Sequence, residues 1–182
     1  MKRVKNLDEV NRFIISELIK NGRIKYTALA RKLNITPAAV KERVDRLIND
    51  KVIKASALLN TTATFPTTAI IGVEGDSECV NMLIRKLRNC PLVISLTRTS
   101  GMHNLIIYLV SKNLRQLESF LNNQVRSEPG IKHVEVNIGD SSVIPEFQQV
   151  RLFYFENTKD LPCRLKKSDK NVCINCPIVE EK

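Results

Sequence analysis

Only two histidines occur in the 182 residues of this chain, and neither His103 nor His133 lies in a motif that would make it a general base or a metal ligand. The sequence also lacks carboxylates paired at a catalytic spacing on one element, a glycine-rich phosphate loop, and a nucleophile placed with a base and an orienting acid. These absences argue against an enzyme. No apolar run approaches the roughly 18 residues of a membrane span, and the first residues alternate in charge where a signal peptide would carry its apolar core. A cytoplasmic protein without a membrane partner is expected. Five cysteines, an odd number spread along the chain, do not read as a secreted disulfide framework.

Acidic residues are in deficit, with 19 Asp and Glu against 29 Lys and Arg and a net charge of +10. The deficit is local. Residues 1–60 hold 14 basic and 6 acidic side chains, whereas residues 61–182 hold 15 and 13. Neutralising phosphates is the main source of affinity for nucleic acid, so a basic first third is where a reader of double-stranded DNA should lie.

Within that third, residues 27–48 read TALARKLNITPAAVKERVDRLI. Leu29, Ala30 and Leu33 recur at helical spacing, and Ala30 is small enough for a second helix to pass close by. Asn34 stands at the corner position where many such motifs carry glycine, and asparagine also tolerates a left-handed backbone. Thr36 followed by Pro37 is a start signal, because the Thr oxygen caps free N–H groups and proline at the first helical position loses nothing by lacking one. Val40, Val44, Leu47 and Ile48 should then face inward, leaving Ala38, Ala39, Glu42, Asp45 and Arg46 outward. Two small residues at the exposed start suit a helix that enters the major groove end-first. On this reading Thr36, Ala38, Ala39, Glu42 and Arg46 lie against base edges, while Tyr26, Thr27, Lys41 and Arg43 meet the phosphate backbone. Upstream, Val10, Phe13, Ile14, Leu18 and Ile19 are expected on one face of a preceding helix, with Asp8 and Glu9 at its positive end. Thr27 is the expected cap of the second helix, and VIKASALL is expected to leave the reader as a strand.

From Phe65 the rhythm changes. TTAIIGVEG reads as a strand, and ECVNMLIRKLRN as a helix with Cys79, Met82, Leu83, Ile84 and Leu87 inward, ending at Cys90-Pro91. A hairpin turning at Ser100-Gly101 follows. NLRQLESFLNNQVRS makes a second helix with Leu114, Leu117, Phe120, Leu121 and Val125 inward, and Pro129-Gly130 turns into the strand IKHVEVNI. The order β-α-β-β-α-β predicts an antiparallel four-stranded sheet with both helices on one face. A second copy would cover the other face, giving a homodimer whose two recognition helices meet successive major grooves.

Residues 7 to about 145 resemble the Lrp/AsnC family of feast/famine transcriptional regulators. The resemblance rests on Leu7-Asp8, Ile14, Leu29-Ala30, Leu33, Ile35-Thr36, Val40, Arg43-Val44, Arg46-Leu47 and Val52-Ile53 in the first part. In the second it rests on the Ser100-Gly101 turn and on Pro129-Gly130-Ile131 with Val134-Glu135. It implies an α+β protein with an N-terminal helix-turn-helix, winged-helix-like domain over residues 1–54 and a linking strand over 55–66. A ferredoxin-like ligand-sensing and dimerisation domain over 67–145 follows, then an extra strand and tail over 146–182. It also implies dimers and often octamers, and a small-molecule effector held near the hairpin turn, here Ser100, Gly101, Met102, His103 and Asn104. The family carries Gly-x-x-Asp there. Asn104 keeps hydrogen-bonding capacity without the charge that would hold an ammonium group, so an amino acid and a different effector both stand open.

After Glu146 the chain leaves the family's core. QVRLFYFEN alternates as an additional strand would, and the tail holds Cys163, Cys173 and Cys176. Cys173-x-x-Cys176 is a spacing at which two thiolates grip one tetrahedral metal, with Cys163 as a third ligand and no fourth in sight. Zinc, an iron–sulfur cluster, a disulfide or redox switch and an inert tail are the alternatives. A sequence-specific regulator is the first expectation for the whole chain. An architectural protein that wraps DNA and a metal- or redox-responsive regulator are the others.

Overall fold

A computed structural model describes residues 7–140, 143 and 145–150. The chain divides into two compact units, Met1–Ala57 and Leu58–Lys182, each with its own core.

The first unit is three helices, α1 (Glu9–Lys20), α2 (Tyr26–Leu33) and α3 (Pro37–Asn49), with no strand among its described residues. Asp8 caps α1 by accepting the Asn11 N–H at 2.7 Å. Thr36 caps α3 by accepting the Ala39 N–H at 3.1 Å, with Pro37 at the first helical position. Thr27 does not cap α2. That helix starts one residue earlier, with Lys25 at the cap position and no side-chain bond. Asn34 is left-handed at φ 52°, and the Ile35 N–H closes back onto the Ala30 carbonyl, which turns the chain sharply between α2 and α3. Lys51 ends α3 the same way at φ 58°, with Val52 N–H on Leu47 O.

Ile14, Leu29, Ala30, Val40 and Val44 form the buried centre, with Val10, Phe13, Leu18, Ile24, Tyr26, Leu33, Ile35 and Ile53 packed around it. Ile19 departs from the expected stripe and is 80% exposed. At about 100° per residue it lies opposite the Val10–Ile14–Leu18 stripe, and Glu17 takes the inward position instead. Ile48, at the edge of its stripe, is likewise exposed.

In the second unit the strands β2 (Thr67–Gly75), β3 (Val93–Arg98), β4 (Leu105–Ser111) and β5 (Ile131–Gly139) form one antiparallel sheet in the order β3-β4-β2-β5. Helices α5 (Ser77–Leu87) and α6 (Leu114–Phe120), the latter continued by a π-helical segment Leu121–Arg126, cover one face. Ala69, Ile71, Val73, Leu105, Ile107 and Leu109 point into that layer and meet Val80, Leu83, Leu87, Leu117, Phe120 and Val125. Met82 stays about half exposed because it falls outside the arc set by Cys79, Val80, Leu83 and Leu87, and Leu114, the first residue of α6, is exposed too.

The segment expected as a linking strand is mostly not one. Within 55–66 only β1 (Leu59–Asn60) is extended, pairing with β6 (Phe147–Gln148), and Thr61–Thr64 make one helical turn, α4. Asn60 causes the turn. Its side-chain oxygen accepts the Ala63 N–H at 3.2 Å and the Thr62 hydroxyl at 2.6 Å, offering the backbone a local alternative to a ladder.

Candidate functional site

The outer surface of α3 carries Ala38, Lys41, Glu42, Asp45 and Arg46, all exposed, with Ala39 half-buried beside them. The inward face is closed by Val40, Val44 and Leu47, so the outward set is fixed by the phase of the helix. Arg46 donates to Glu42 Oε1 at 2.8 Å across one helical turn, and both side chains remain about 70% accessible. Such a pair is held weakly in water and can open onto a base edge or a phosphate.

Arg43 is placed differently from Lys41. Its guanidinium donates to Asp8 Oδ2 at 2.8 Å and to Asn11 Oδ1 at 3.2 Å, which ties α3 to the start of α1. The Asp8 carboxyl is held below its usual range chiefly by that guanidinium and next by the Asn11 N–H. Tyr26 packs against the core, and Thr27 is exposed in the first turn of α2. Glu17, which the apolar pattern passed over, accepts from Lys32 Nζ at 2.5 Å and Lys20 Nζ at 3.1 Å. Lys32 first and Lys20 second depress its carboxyl against the opposing effect of desolvation. A charge complementary to Lys32 on the helix packed against α2 was the readable signal, but its register was not.

In the second unit the hairpin turn leaves Ser100, Gly101 and Met102 exposed, while His103 and Asn104 turn inward. Asn104 pairs with the peptide groups of Gly75: its Nδ2 donates to Gly75 O at 2.6 Å, and its Oδ1 accepts the Gly75 N–H at 3.2 Å. Its own N–H donates to Val73 O at 3.0 Å. The side chain thereby prolongs the β2–β4 ladder beyond Leu105. The His103 ring lies over Gly72, where a Cβ would come within 2.6 Å of the imidazole. It stacks on His133 at a centroid distance of 5.9 Å, and its Nε2 stands 3.3 Å from Glu135 Oε2. Both histidines of the chain thus meet on the sheet face opposite the helices.

Cys163, Cys173 and Cys176 lie outside the described residues, as does most of the expected extra strand. Among the described residues no group of three or more His, Cys, Asp or Glu side chains could hold a metal ion. Cys79 and Cys90 are buried in the second core, and burial, then Asp76, then Glu128 push the Cys79 thiol up.

The three-helix reader and the helix-covered sheet have clear relatives. Residues 7–48 match the AsnC-type helix-turn-helix domain, and residues 68–148 match the Lrp/AsnC ligand binding domain. An uncharacterized HTH-type transcriptional regulator of Pyrococcus horikoshii is 32% identical over 134 residues, 72% of this chain and 85% of that protein. This chain belongs to the Lrp/AsnC family of transcriptional regulators. Solved relatives share its fold at low identity. Escherichia coli AsnC superposes with a TM-score of 0.66 at 20% identity, covering 74% of this chain and 92% of that one. The leucine response regulatory protein of Mycobacterium tuberculosis gives 0.68 at 22% identity, covering 80% and 100%. As an Lrp/AsnC regulator the chain binds DNA through its helix-turn-helix, carries a ligand-binding domain and oligomerises, and it is not an enzyme. No described helix is long and apolar enough to cross a membrane.

Proposed function

We propose that this Lrp/AsnC regulator works as a homodimer, or an assembly of dimers, that reads a specific two-fold site with paired α3 helices and changes its occupancy in response to a small molecule. The observation that carries this reading is the outward face of α3. Ala38 and Ala39 allow close approach at its start, with Lys41 and Arg46 placed to reach phosphate or guanine. Lys41, Thr27 and the first turn of α2 supply backbone contacts, and Arg43 orients the helix through Asp8. The test is a gel shift on DNA from the protein's own promoter region. The Lys41→Ala, Arg46→Ala double variant should abolish the shift, and a single variant that removes one phosphate contact should reduce the steepness of log affinity against log salt by about one. Unchanged binding would overturn the assignment. Competition with random DNA separates this reading from broad DNA wrapping, because a specific regulator should keep a large preference for its own site.

The zinc or iron–sulfur reading of Cys163, Cys173 and Cys176 is a second proposal, carried by the Cys-x-x-Cys spacing. Metal analysis on protein purified without chelator tests it. Substoichiometric metal with fully titratable thiols would remove it.

A further inference from the structure

An open cleft of about 520 Å³ lies along α5 in the second unit, and Arg85, Arg88 and Arg98 line it together with Ser77, Glu78, Asn81 and Ile84. Ser77, Asn81 and Arg85 come from one stripe of α5 and Arg88 from its C-cap, so the cleft follows that helix for about 16 Å at 1.5 Å per residue. Arg98 enters from the end of β3, an edge strand of the sheet, and donates to Asn81 Oδ1 in the middle of the stripe.

Three guanidinium groups facing one concavity repel one another unless something neutralises them. Among the described residues none of the three makes an ion pair. Glu78, the one acid in the wall, is bonded to no arginine. Elsewhere in the same chain exposed arginines do find carboxylates, as Arg43 finds Asp8 and Arg46 finds Glu42. Guanidinium forks match the paired oxygens of phosphate and carboxylate, which single ammonium charges do not. The volume is within the range of small-molecule sites, and three guanidinium groups share its wall with the apolar Ile84.

We propose that this cleft binds a small organic polyanion, carrying phosphate or several carboxylates, as an effector of the regulator. Arg85, Arg88 and Arg98 hold its charges, Ser77 and Asn81 supply neutral hydrogen bonds, and Glu78 accepts from a hydroxyl or amino group at one end. The proposal rests on the reading of this unit as a ligand-binding domain, and it places a ligand where an acid-for-ammonium match at the hairpin is not needed.

The test is isothermal titration of the full chain, without DNA, with pyrophosphate and separately with citrate, at ionic strength matched by chloride. Saturable binding near one anion per chain is expected for at least one of the two. The Arg88→Gln, Arg98→Gln double variant should bind at least about tenfold more weakly, because hydrogen bonds to charged groups carry most of the affinity. Its melting curve without anion should match the wild type, since both side chains lie on the surface. Absence of saturable binding by either anion, or equal binding by the variant, overturns the proposal. A variant that binds neither anion differently but shows weaker DNA binding with a flatter salt dependence assigns the cleft to DNA phosphates, which overturns it too. Failure of the DNA-reading assignment would appear separately, as absence of a wild-type gel shift in anion-free buffer.

Discussion

Asn104 stands where the family's hairpin carries an acid, and its amide pairs in both directions with one residue, accepting the Gly75 N–H and donating to the Gly75 carbonyl. An aspartate could accept the Gly75 N–H but would set an anion against the Gly75 carbonyl in place of a donor. Asn104→Asp should therefore lower unfolding stability by about 1–3 kcal/mol, the cost of leaving a partly buried acceptor unpaired. Chemical denaturation of the two proteins measures this, and an unchanged or raised midpoint would count against the ladder role. The cysteines of the second core are quiet by the same kind of reasoning. Cys79 is buried and its thiol is pushed up by desolvation, so Cys79 and Cys90 should resist iodoacetamide in the native state and react only after unfolding. Mass spectrometry before and after denaturant checks it.

Elements meet at charged joints as well as apolar ones. In the reader, Asp8 receives Arg43 from α3, and Glu17 receives Lys32 from α2, so two carboxylates on α1 hold both partner helices. Both carboxyls are depressed in the folded state, so their contribution is complete above the ordinary carboxylate pKa of about 4 and is lost as pH falls through the lower folded values. Thermal melts followed by circular dichroism should show the first unit losing stability as pH drops from 5 to 3, and Glu17→Gln should flatten that loss. At the joint between β5 and α5, Gly130 is at φ +85°, and a Cβ there would come within 2.4 Å of Asp76 Oδ2. Because Asp76 caps α5, Gly130→Ala should combine backbone strain of about 1–3 kcal/mol with damage to the cap. A melting temperature within a degree of wild type would contradict this.

At the scale of the whole molecule, the sheet presents Ile70, Ile106 and Tyr108 on the face that no described helix covers, with Ile70 50% exposed. The proposed dimer buries that face. Sedimentation of the full chain should give a dimer or a multiple of it, and Ile70→Asp should shift the distribution toward monomer while leaving the circular dichroism of the subunit intact. A dimer that survives the substitution at micromolar concentration would place the contact elsewhere.

Local rules reached far in this chain. The three helices of the reader, the Thr36-Pro37 start, the left-handed corner at Asn34 and the β-α-β-β-α-β order all follow from spacing, capping and turn chemistry, which act between residues close in sequence. The outward set on α3 was legible for the same reason, since helix phase is fixed once the apolar stripe is known. What depends on residues far apart was not legible. Nothing near Glu17 marks it as the inward residue that holds Lys32, and nothing near Arg43 couples it to Asp8, 35 residues away. Asn104 read as a lost ligand charge until β2 came alongside and put the Gly75 peptide against its amide. Arg98 joined Arg85 and Arg88 only because the edge strand ends beside α5. Sequence alone determined which elements form and which kind of surface reads DNA, because those are decided by periodicity. Tertiary structure decided which polar side chains are spent on holding the fold and which remain free to meet a ligand, because hydrogen bonds and ion pairs depend on distance in space.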